Sequence, residues 1–331
     1  MIVPYPLREG IRDFHMPQSN GSHRFGGIWT ELKLDAVSYY CMFFNKVLLN
    51  QPHPDNPFKR WYFDGFAGSG TRQEDVQVGG LFDGRALDVE TRELEGSALR
   101  ALRVDPPFDY LAFIEGHAGR FSALEEIKAK HPHRNIECIK GDANSKLATI
   151  FSSPPWSLQR AGKGSHRGLC FLDPYGMNVD WRTLEILAST RAVDVWYLFP
   201  LDAVVRQLAG DLDRVDANKQ KRLDEIFGTQ NWRSDIYRAR QTADLFAEVV
   251  ETSSRSFDRG QIENYAQERL RTIFCEVSEP LPLLNERGRQ IFSLFCLSNS
   301  ASPQALALIK KGVTSVLKKY GPGASRHRSG H

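Results

Sequence analysis

The clearest hydrophobic pattern near the start of the chain predicts a helix over residues 29–50. Five apolar residues fall on one face of this helix because they recur at spacings of three and four. They are Leu34, Val37, Cys41, Phe44 and Leu48. Thr30 is a suitable N-cap, and the proline-rich stretch 51–57 ends the helix. Residues 1–27 are rich in Pro, Gly, His and Ser and predict an irregular N-terminal arm.

Five short apolar runs farther along the chain predict strands. They are residues 61–66, 110–115, 136–140, 169–173 and 193–199. Helical segments separate several of them, and strands that alternate with helices form parallel sheets. The last run is almost entirely apolar, as expected of a central strand that is covered on both faces. We therefore expect an α/β protein with a doubly wound, mostly parallel, Rossmann-like sheet.

Two segments interrupt the alternation of strands and helices. Residues 71–95 are acidic and contain glycines, and we interpret them as a long functional loop or lid. Residues 201–271 are charged and mostly helical in pattern, so we expect an inserted helical subdomain.

The remaining segments complete the predicted domain organisation. The core comprises residues 28–200 and 272–315, and its second part contains a late strand at 291–298 and a helix at 304–311. Residues 316–331 are expected to form a flexible basic tail.

The composition is that of an ordinary globular protein. Of 331 residues, 41% are hydrophobic and 25% are charged, which is enough to bury a large core. No apolar run approaches the ~20 residues of a membrane span, and the start of the chain lacks the pattern of a signal peptide. The five cysteines are far apart, so we expect free thiols, no metal site and a cytoplasmic location.

Charge is distributed unevenly along the chain. The net charge is +3, but residues 287–331 contain eight Lys/Arg and no Asp/Glu. A basic end of this kind suits a polyanion such as nucleic acid. The alternative is a solvated helix face followed by a disordered end, and the sequence leaves both open.

An acid and a glycine-rich loop follow the first predicted strand. The segment is Asp64-Gly65-Phe66-Ala67-Gly68-Ser69-Gly70. Glycines let the backbone turn tightly and approach a ligand without Cβ clashes. The spacing differs from the G-x-G-x-x-G of dinucleotide-binding proteins, and no Lys-Ser/Thr pair follows as in a phosphate loop. We therefore expect a nucleotide-sized ligand of another kind.

Three further strands end in an acidic residue. Glu115 ends the second, Asp142 follows the third and Asp173 ends the fourth. Ligands of open parallel sheets bind beyond the carboxyl ends of the strands, so these acids and Asp64 are expected around one pocket. The alternative is that the glycines form a tight turn and that the acids cap helix N-termini.

The glycine-rich segment resembles the first motif of Rossmann-like methyltransferases, D/E-x-F-x-G-x-G. The resemblance implies S-adenosylmethionine (SAM) as the cofactor, with the loop beneath it and Asp64 near its ammonium group. The loop residues concerned are Gly65, Phe66, Gly68 and Gly70. Glu115 would accept both ribose hydroxyls, a task that suits a carboxylate.

The resemblance also implies roles for residues outside the glycine loop. Asp142, followed by Ala143, would bind the adenine amino group. Lys33 could reach the carboxylate of the cofactor, and Ser97 could approach the same end. Alternatively, Lys33 is a solvated lysine on a helix face and Ser97 is a helix N-cap.

The run Phe171-Leu172-Asp173-Pro174-Tyr175-Gly176 resembles the fourth motif of methyltransferases that act on exocyclic amines of nucleobases. Such an amine is a weak nucleophile, and a carboxylate and a main-chain carbonyl that accept its N–H bonds localise and aim its lone pair. Asp173 and the carbonyl of Pro174 are candidates for this catalytic role, and Tyr175 is the candidate to stack on the base.

This run also bears on which base is modified. The adenine and cytosine enzymes carry D/N/S-P-P-Y/F/W, whereas tRNA guanine-N2 dimethyltransferases carry D-P-F-G, which is closer to Asp173-Pro174-Tyr175-Gly176. The missing second proline leaves adenine specificity open. A strand end followed by a simple turn is the alternative to a catalytic role.

At the scale of the whole chain, four features resemble the three-Cys-motif partner family (TcmP). They are the T-x-x-K helix start at Thr30 and Lys33, the first motif, the G-S-x-L segment that contains Ser97, and the F-L-D-P-Y-G run. Ala98 stands where the family usually has proline. The resemblance implies a methyltransferase-like protein in nucleic-acid modification or repair, paired with a radical-SAM-type protein that bears three cysteines.

Three functions are therefore open at the level of sequence. The first is a SAM-dependent methyltransferase that N-methylates a nucleobase in DNA or RNA. The second is a catalytically silent partner that keeps the fold, and the third is a methyltransferase on a small molecule or a protein. The intact Asp173-Pro174-Tyr175 run favours catalysis, and that run together with the basic end of the chain favours nucleic acid.

Overall fold

The computed structural model describes residues 28–80, 85–157, 164–243, 249–300 and 302–322. The predicted N-terminal arm and the end of the predicted tail lie outside these residues. The helices are α1 Ile28–Leu48, α2 Ser97–Leu102, α3 Ala118–Lys130, α4 Ala143–Ser152, α5 Trp181–Thr190, α6 Leu201–Gln207, α7 Ala217–Phe227, α8 Trp232–Ile236, α9 Arg259–Arg271 and α10 Pro303–Tyr320.

Most of the strands belong to one sheet. The strands are β1 Pro52–His53, β2 Asn56–Pro57, β3 Lys59–Asp64, β4 Thr71–Gly80, β5 Arg85–Glu95, β6 Tyr110–Glu115, β7 Ile136–Lys140, β8 His166–Leu172, β9 Val193–Phe199, β10 Tyr237–Ala243, β11 Val249–Arg255, β12 Glu276–Val277, β13 Leu281–Leu284 and β14 Gln290–Ser298. The sheet has the order β12-β14-β9-β8-β3-β6-β7, and β13 pairs with β14.

The centre of this sheet is parallel. Strand β3 pairs with β6 and β8, β6 pairs with β7, and β8 pairs with β9, all in parallel. Strand β14 joins the edge of this set antiparallel to β9. The chain order of the central strands reverses at β3, where the connections switch from one side of the sheet to the other. The predicted doubly wound, mostly parallel α/β fold is therefore confirmed, and the carboxyl ends of β3, β6, β7 and β8 meet at one edge.

Helices cover both faces of the sheet and create two hydrophobic cores. On one face, α1, α2 and α10 enclose fully buried aromatic side chains such as Tyr40 and Trp196, whose ring centroids lie 5.2 Å apart. On the other face, α4, α5 and helices of the insertion enclose Phe63, Trp156 and Trp232. Burial of one large apolar side chain contributes about 1.5–3 kcal/mol, so both helical layers are needed to stabilise the strands between them.

Residues 71–95 differ from their prediction. They form an antiparallel hairpin, β4 and β5, whose pairing runs from Thr71↔Glu95 to Gly80↔Arg85. Interpreting them as a loop was wrong for the described part of the segment. The alternation Val76-Gln77-Val78 is typical of a strand, and the two strands satisfy each other's backbone hydrogen bonds.

The inserted subdomain also contains more than helices. Helices α6 to α9 confirm the helical pattern, but β10 and β11 pair as a second antiparallel hairpin within it. Residues 237–255 contain few large apolar positions, so the sequence pattern does not predict this hairpin.

Three predicted boundaries need correction. Helix α1 begins at Ile28, so Thr30 lies in its first turn and is not the N-cap. Ser97 is the first residue of α2, and the cap position is Gly96. Helix α10 continues to Tyr320, so the first residues of the predicted tail are helical; buried Val313 and Val316 extend its apolar face.

The described cysteines are all free thiols, as predicted from their spacing. Cys275 is exposed, whereas Cys41, Cys170 and Cys296 are buried. Within the described ranges, no helix has the length and apolarity needed to cross a membrane.

Candidate active site

A cleft of about 890 Å³ lies at the carboxyl edge of the parallel strands. This is the position at which open α/β sheets bind ligands, and the volume suits a nucleotide-sized molecule. Ten of the thirteen predicted site residues line it: Lys33, Gly65, Phe66, Gly68, Glu115, Asp142, Ala143, Asp173, Pro174 and Tyr175. The structure does not bring Asp64, Gly70 and Ser97 to its wall.

The glycine loop after β3 is tied to both neighbouring strands. The Gly65 N–H donates to Phe171 O at 3.0 Å, and the Ala67 N–H donates to Ile114 O at 3.0 Å. Gly68 has φ of +63° and open space where a β-carbon would stand, so the backbone itself faces the cleft. Such a loop offers a ligand close approach to the main chain.

Asp64 lies behind this loop. Its carboxyl is fully buried, accepts the Phe66 N–H at 3.2 Å and is hydrogen-bonded to the Ser97 side chain. The pKa of Asp64 is raised to about 7 because burial and the nearby Asp173 carboxylate outweigh the lowering effects of these hydrogen bonds and of Lys33. Asp64 and Ser97 therefore fix the shape of the loop from beneath.

Gly70 ends the loop where it meets α3. Its φ is +76°, and a β-carbon there would lie 2.3 Å from Cδ1 of Ile127. Glycine is required at this position both by the backbone conformation and by the close approach of α3.

Glu115 stands at the end of β6 with its orientation fixed. Its side chain is 7% exposed, and Oε1 accepts both the His117 N–H at 2.7 Å and an Arg120 N–H at 3.1 Å. Among the described residues, Oε2 has no hydrogen-bond partner in the protein. One oxygen of a held carboxylate is thus available to hydroxyl groups of a ligand in the cleft.

Asp142 has the structural role that the sequence left open as an alternative. It is the N-cap of α4 and accepts the Ser145 N–H at 2.9 Å. It also lines the cleft together with the buried Ala143. Capping uses Oδ1, so the same side chain presents a second oxygen for a ligand.

Asp173, at the end of β8, is held by Lys33. The Lys33 Nζ lies 2.5 Å from Asp173 Oδ2, and the two side chains are 5% and 24% exposed. The alternative that Lys33 is a solvated lysine on a helix face is therefore wrong. Tyr175, two residues after Asp173, is 91% exposed although it is a large aromatic residue. Its ring is free to contact a ligand at the mouth of the cleft.

Several cleft residues have no signal in the sequence. Asn144 binds the segment after β8 through three hydrogen bonds, donating to Asn178 O and accepting from the Asp180 N–H and the Thr183 hydroxyl. The elements that meet here are far apart along the chain. Sequence pattern alone therefore does not associate Asn144 with the Asp173 segment.

The insertion also contributes a wall to the cleft. Arg222 and Glu225 of α7 line it and form an ion pair at 2.9 Å. Burial raises the pKa of Asp180, and Glu225 raises it further, while Arg222 lowers it. The i, i+3 spacing of Arg222 and Glu225 is common on solvated helices, so nothing local marked them as site residues.

Carboxylates, amides, basic side chains, aromatic rings and backbone groups line the cleft. No group of three or more His, Cys, Asp or Glu side chains arranged to hold a metal ion occurs in the part of the chain that the structure describes.

The chain matches no protein-family model and no curated protein. It has structural similarity to a Legionella pneumophila protein of the family model DUF519, with 13% identity and a TM-score of 0.46 over 91% of this chain and 95% of the other. It is also similar to the N-terminal domain of EvdMO1 with SAH bound, at 13% identity and a TM-score of 0.35 over 81% of each chain.

A SAM-dependent methyltransferase from Clostridium acetobutylicum is a third similar structure, at 11% identity and a TM-score of 0.33 over 80% of this chain and 92% of the other. These scores describe a partial likeness, so the fold is established by the strand order itself. The chain is a Rossmann-like α/β protein with a ligand-sized cleft at the carboxyl edge of its sheet.

Proposed function

We propose that this protein is a SAM-dependent methyltransferase that N-methylates an exocyclic amine of a nucleobase in DNA or RNA. One observation carries the proposal. The glycine loop, Glu115, Asp142 and the Asp173-Pro174-Tyr175 run come from four different strand ends and line the same cleft. Tight turns and helix caps alone do not require this convergence.

The residues present fit the cofactor. Gly65 and Gly68 would lie against it, Glu115 would accept ribose hydroxyls through its available oxygen, and Asp142 with Ala143 would hold the adenine. SAM supplies an electrophilic methyl group on a sulfonium centre. Donor and acceptor types agree with this placement, because carboxylates accept the hydroxyl and amino groups of the nucleoside.

Asp173 and Pro174 would act on the acceptor. The carboxylate and the Pro174 carbonyl would accept the two N–H bonds of the amine, which localises its lone pair and aims it into the cleft. The proton that the amine loses can pass to the Asp173 carboxylate, a general base in hydrogen-bond reach. The exposed ring of Tyr175 would stack on the base, a contact worth about 1–3 kcal/mol.

The resemblance to TcmP supports a setting in nucleic-acid modification or repair. A radical-SAM-type protein with three cysteines is the partner that this resemblance implies, and nucleic acid is the proposed acceptor. Lys311, Lys318 and Lys319 of α10 provide positive charge suited to a polyanion, whereas Lys310 is paired with Glu276 at 3.1 Å.

The test measures binding and methyl transfer separately. Calorimetric titration with S-adenosylhomocysteine (SAH) establishes whether the cofactor site exists, and transfer of labelled methyl groups from SAM to DNA, RNA and protein fractions identifies the acceptor. We expect the wild type to bind SAH and to label nucleic acid. Asp173→Asn should retain SAH binding and lose transfer, whereas Asp213→Asn, at an exposed position outside the cleft, should retain both.

Asparagine is preferred to alanine at position 173 because alanine would leave the buried Lys33 ammonium without a partner side chain, at a cost of several kcal/mol. A wild type that binds no SAH would refute the cofactor assignment. Label found in protein and not in nucleic acid would refute the acceptor class.

A further inference from the structure

Lys33 is buried in the cleft next to the proposed catalytic carboxylate. It lies in the second turn of α1, and its Nζ contacts Asp173 Oδ2 at 2.5 Å. The ammonium also lies 5.0 Å from the centroid of the Trp29 ring, a favourable cation–π distance. Since the side chain is only 5% exposed, water contributes little to its solvation.

This contact weakens Asp173 as an acceptor for the N–H bonds of an amine. In the proposed reaction, the carboxylate accepts an N–H bond of the amine. An ammonium at 2.5 Å occupies Oδ2 and neutralises much of the charge that would attract the amine to Oδ1. The structure therefore shows Asp173 as a weaker acceptor than a carboxylate without a cationic partner.

Lys33 can leave Asp173 only for another anion. Removing an ammonium from water costs several kcal/mol unless it is paired. Among the described residues, Asp64 is the other carboxyl that interacts with Lys33, but it is fully buried and already bonded to Phe66 and Ser97. Burial raises the pKa of Asp64 to about 7, so near neutral pH much of it is protonated and it is a weak alternative partner.

We propose that Lys33 exchanges Asp173 for the α-carboxylate of the cofactor, and that this exchange frees Asp173 to accept the amine. The inference rests on the proposed function, since it requires a ligand with a carboxylate near Gly65 and Gly68, which line the same cleft as Lys33. Lys33 is then a positioning residue that orders binding. The acceptor binds well only after the ammonium of Lys33 has moved.

The exchange predicts a dependence on the carboxylate of the ligand. SAH carries this group, whereas 5′-methylthioadenosine shares the adenosine and thioether but lacks the amino-acid part. Calorimetric titrations of the full chain with both compounds, in wild type and variants, separate the two contributions. Lys46→Met is the matched control, because Lys46 is an exposed lysine on the same helix.

Substitutions of the two partners of the ion pair should change the affinity for SAH in opposite directions. Asp173→Asn should bind SAH about three- to tenfold more tightly than the wild type, because Lys33 no longer has to leave a carboxylate. Lys33→Met should bind SAH about tenfold more weakly. Neither variant should change the affinity for 5′-methylthioadenosine, and Lys46→Met should match the wild type with both compounds.

A second measurement determines the affinity for an oligonucleotide that stands in for the acceptor. A short mixed-sequence single-stranded oligonucleotide, as DNA and as RNA, is titrated into the protein alone, with saturating SAH and with saturating 5′-methylthioadenosine. SAH should raise the oligonucleotide affinity by about tenfold, within the usual range of coupling between two sites. 5′-Methylthioadenosine should not raise it, and Lys33→Met should abolish the difference between the two compounds.

The outcomes separate this inference from the proposed function. Unchanged or weaker SAH binding by Asp173→Asn would overturn the exchange even if the enzyme methylates nucleic acid. Equal enhancement of oligonucleotide binding by both compounds would overturn it as well. Absence of any SAH binding by the wild type would instead remove the proposed function, and the exchange with it.

Discussion

The side chain of Asn144 should hold the segment after β8 in place. Its three hydrogen bonds are 3.0 Å to Asn178 O, 3.0 Å from the Asp180 N–H and 2.8 Å from the Thr183 hydroxyl. Asn144→Ala removes all three without changing the Asp173-Pro174-Tyr175 run itself. Since that run begins this segment, the variant tests whether the segment is positioned from α4.

The expected loss in the free energy of unfolding follows from the number and burial of these hydrogen bonds. A net contribution of about 1 kcal/mol for each hydrogen bond gives about 3 kcal/mol. Alanine recovers about 0.5 kcal/mol through its higher helix propensity, and water can replace part of the loss at the half-buried Asn144. Thr183 is 2% exposed, so its hydroxyl loses its partner with little access to water. We expect the free energy of unfolding to fall by about 2 kcal/mol.

The matched control is Thr149→Ala on the same helix. Thr149 is exposed and its hydroxyl bonds only to the Ser145 carbonyl of α4, at 2.9 Å. Denaturant unfolding gives the free-energy difference between the two variants. Hydrogen exchange gives its location, because the Asp180 amide loses its acceptor only in Asn144→Ala.

A double-mutant cycle isolates one of the three bonds. Thr183→Val removes the hydroxyl while keeping the shape of the side chain, and its coupling with Asn144→Ala should be about 1 kcal/mol. The reasoning is refuted if Asn144→Ala costs no more than Thr149→Ala. It is also refuted if the Asp180 amide exchanges at the wild-type rate in Asn144→Ala.

Three further predictions concern the glycine loop and the mouth of the cleft. Because the pKa of Asp64 is raised from its unfolded value to about 7, the folded state binds the extra proton and the free energy of unfolding falls as pH rises from about 4 to about 7, by up to about 4 kcal/mol. In denaturation measured across that pH range, Asp64→Asn should remove this part of the pH dependence. The control Asp194→Asn should remove only the part due to Asp194, whose pKa is raised to about 6. An unchanged pH profile in Asp64→Asn would contradict the burial argument. Gly70→Ala should destabilise the protein by about 2–4 kcal/mol, because it adds a clash with α3 to the backbone strain. Gly68→Ala should cost only about 1 kcal/mol of strain, because no atom lies within 4 Å of the position of the added β-carbon. Equal losses of stability in chemical denaturation would show that the clash at Gly70 is relieved. Tyr175→Ala should change the free energy of unfolding by no more than about 0.5 kcal/mol, since the side chain is 91% exposed. It should weaken oligonucleotide binding about 5- to 150-fold because the stacking contact is lost. Unchanged binding would exclude Tyr175 from the acceptor site.

The local patterns of the sequence were sufficient for the strands and helices of the core. Strands β6, β7 and β9 have the predicted limits, because apolar runs of five to seven residues between helices indicate buried parallel strands. The hairpin β4–β5 was missed because its acidic composition suggested a loop. Its strands pair with each other and are not part of the main sheet.

The placement of acids at strand ends predicted the site for a topological reason. In a parallel sheet, the carboxyl ends of neighbouring strands meet at one edge, so residues such as Glu115 and Asp173 converge although they are far apart in sequence. The structure confirms that both line one cleft. Asp64 departs from the pattern, because its strand ends beneath the glycine loop and its carboxyl is buried there.

The sequence by itself thus determined the fold class, the glycine loop and the edge of the sheet at which the cleft lies. Each depends on periodicity or on residue type within a short stretch, and these are local properties. Only the tertiary structure decided which side chains pair across that edge. Lys33 contacts Asp173, 140 positions away in the sequence, and Asn144 holds the segment after β8. Both contacts form because packing brings together helices and strands, and the local sequence of one element does not indicate its partner.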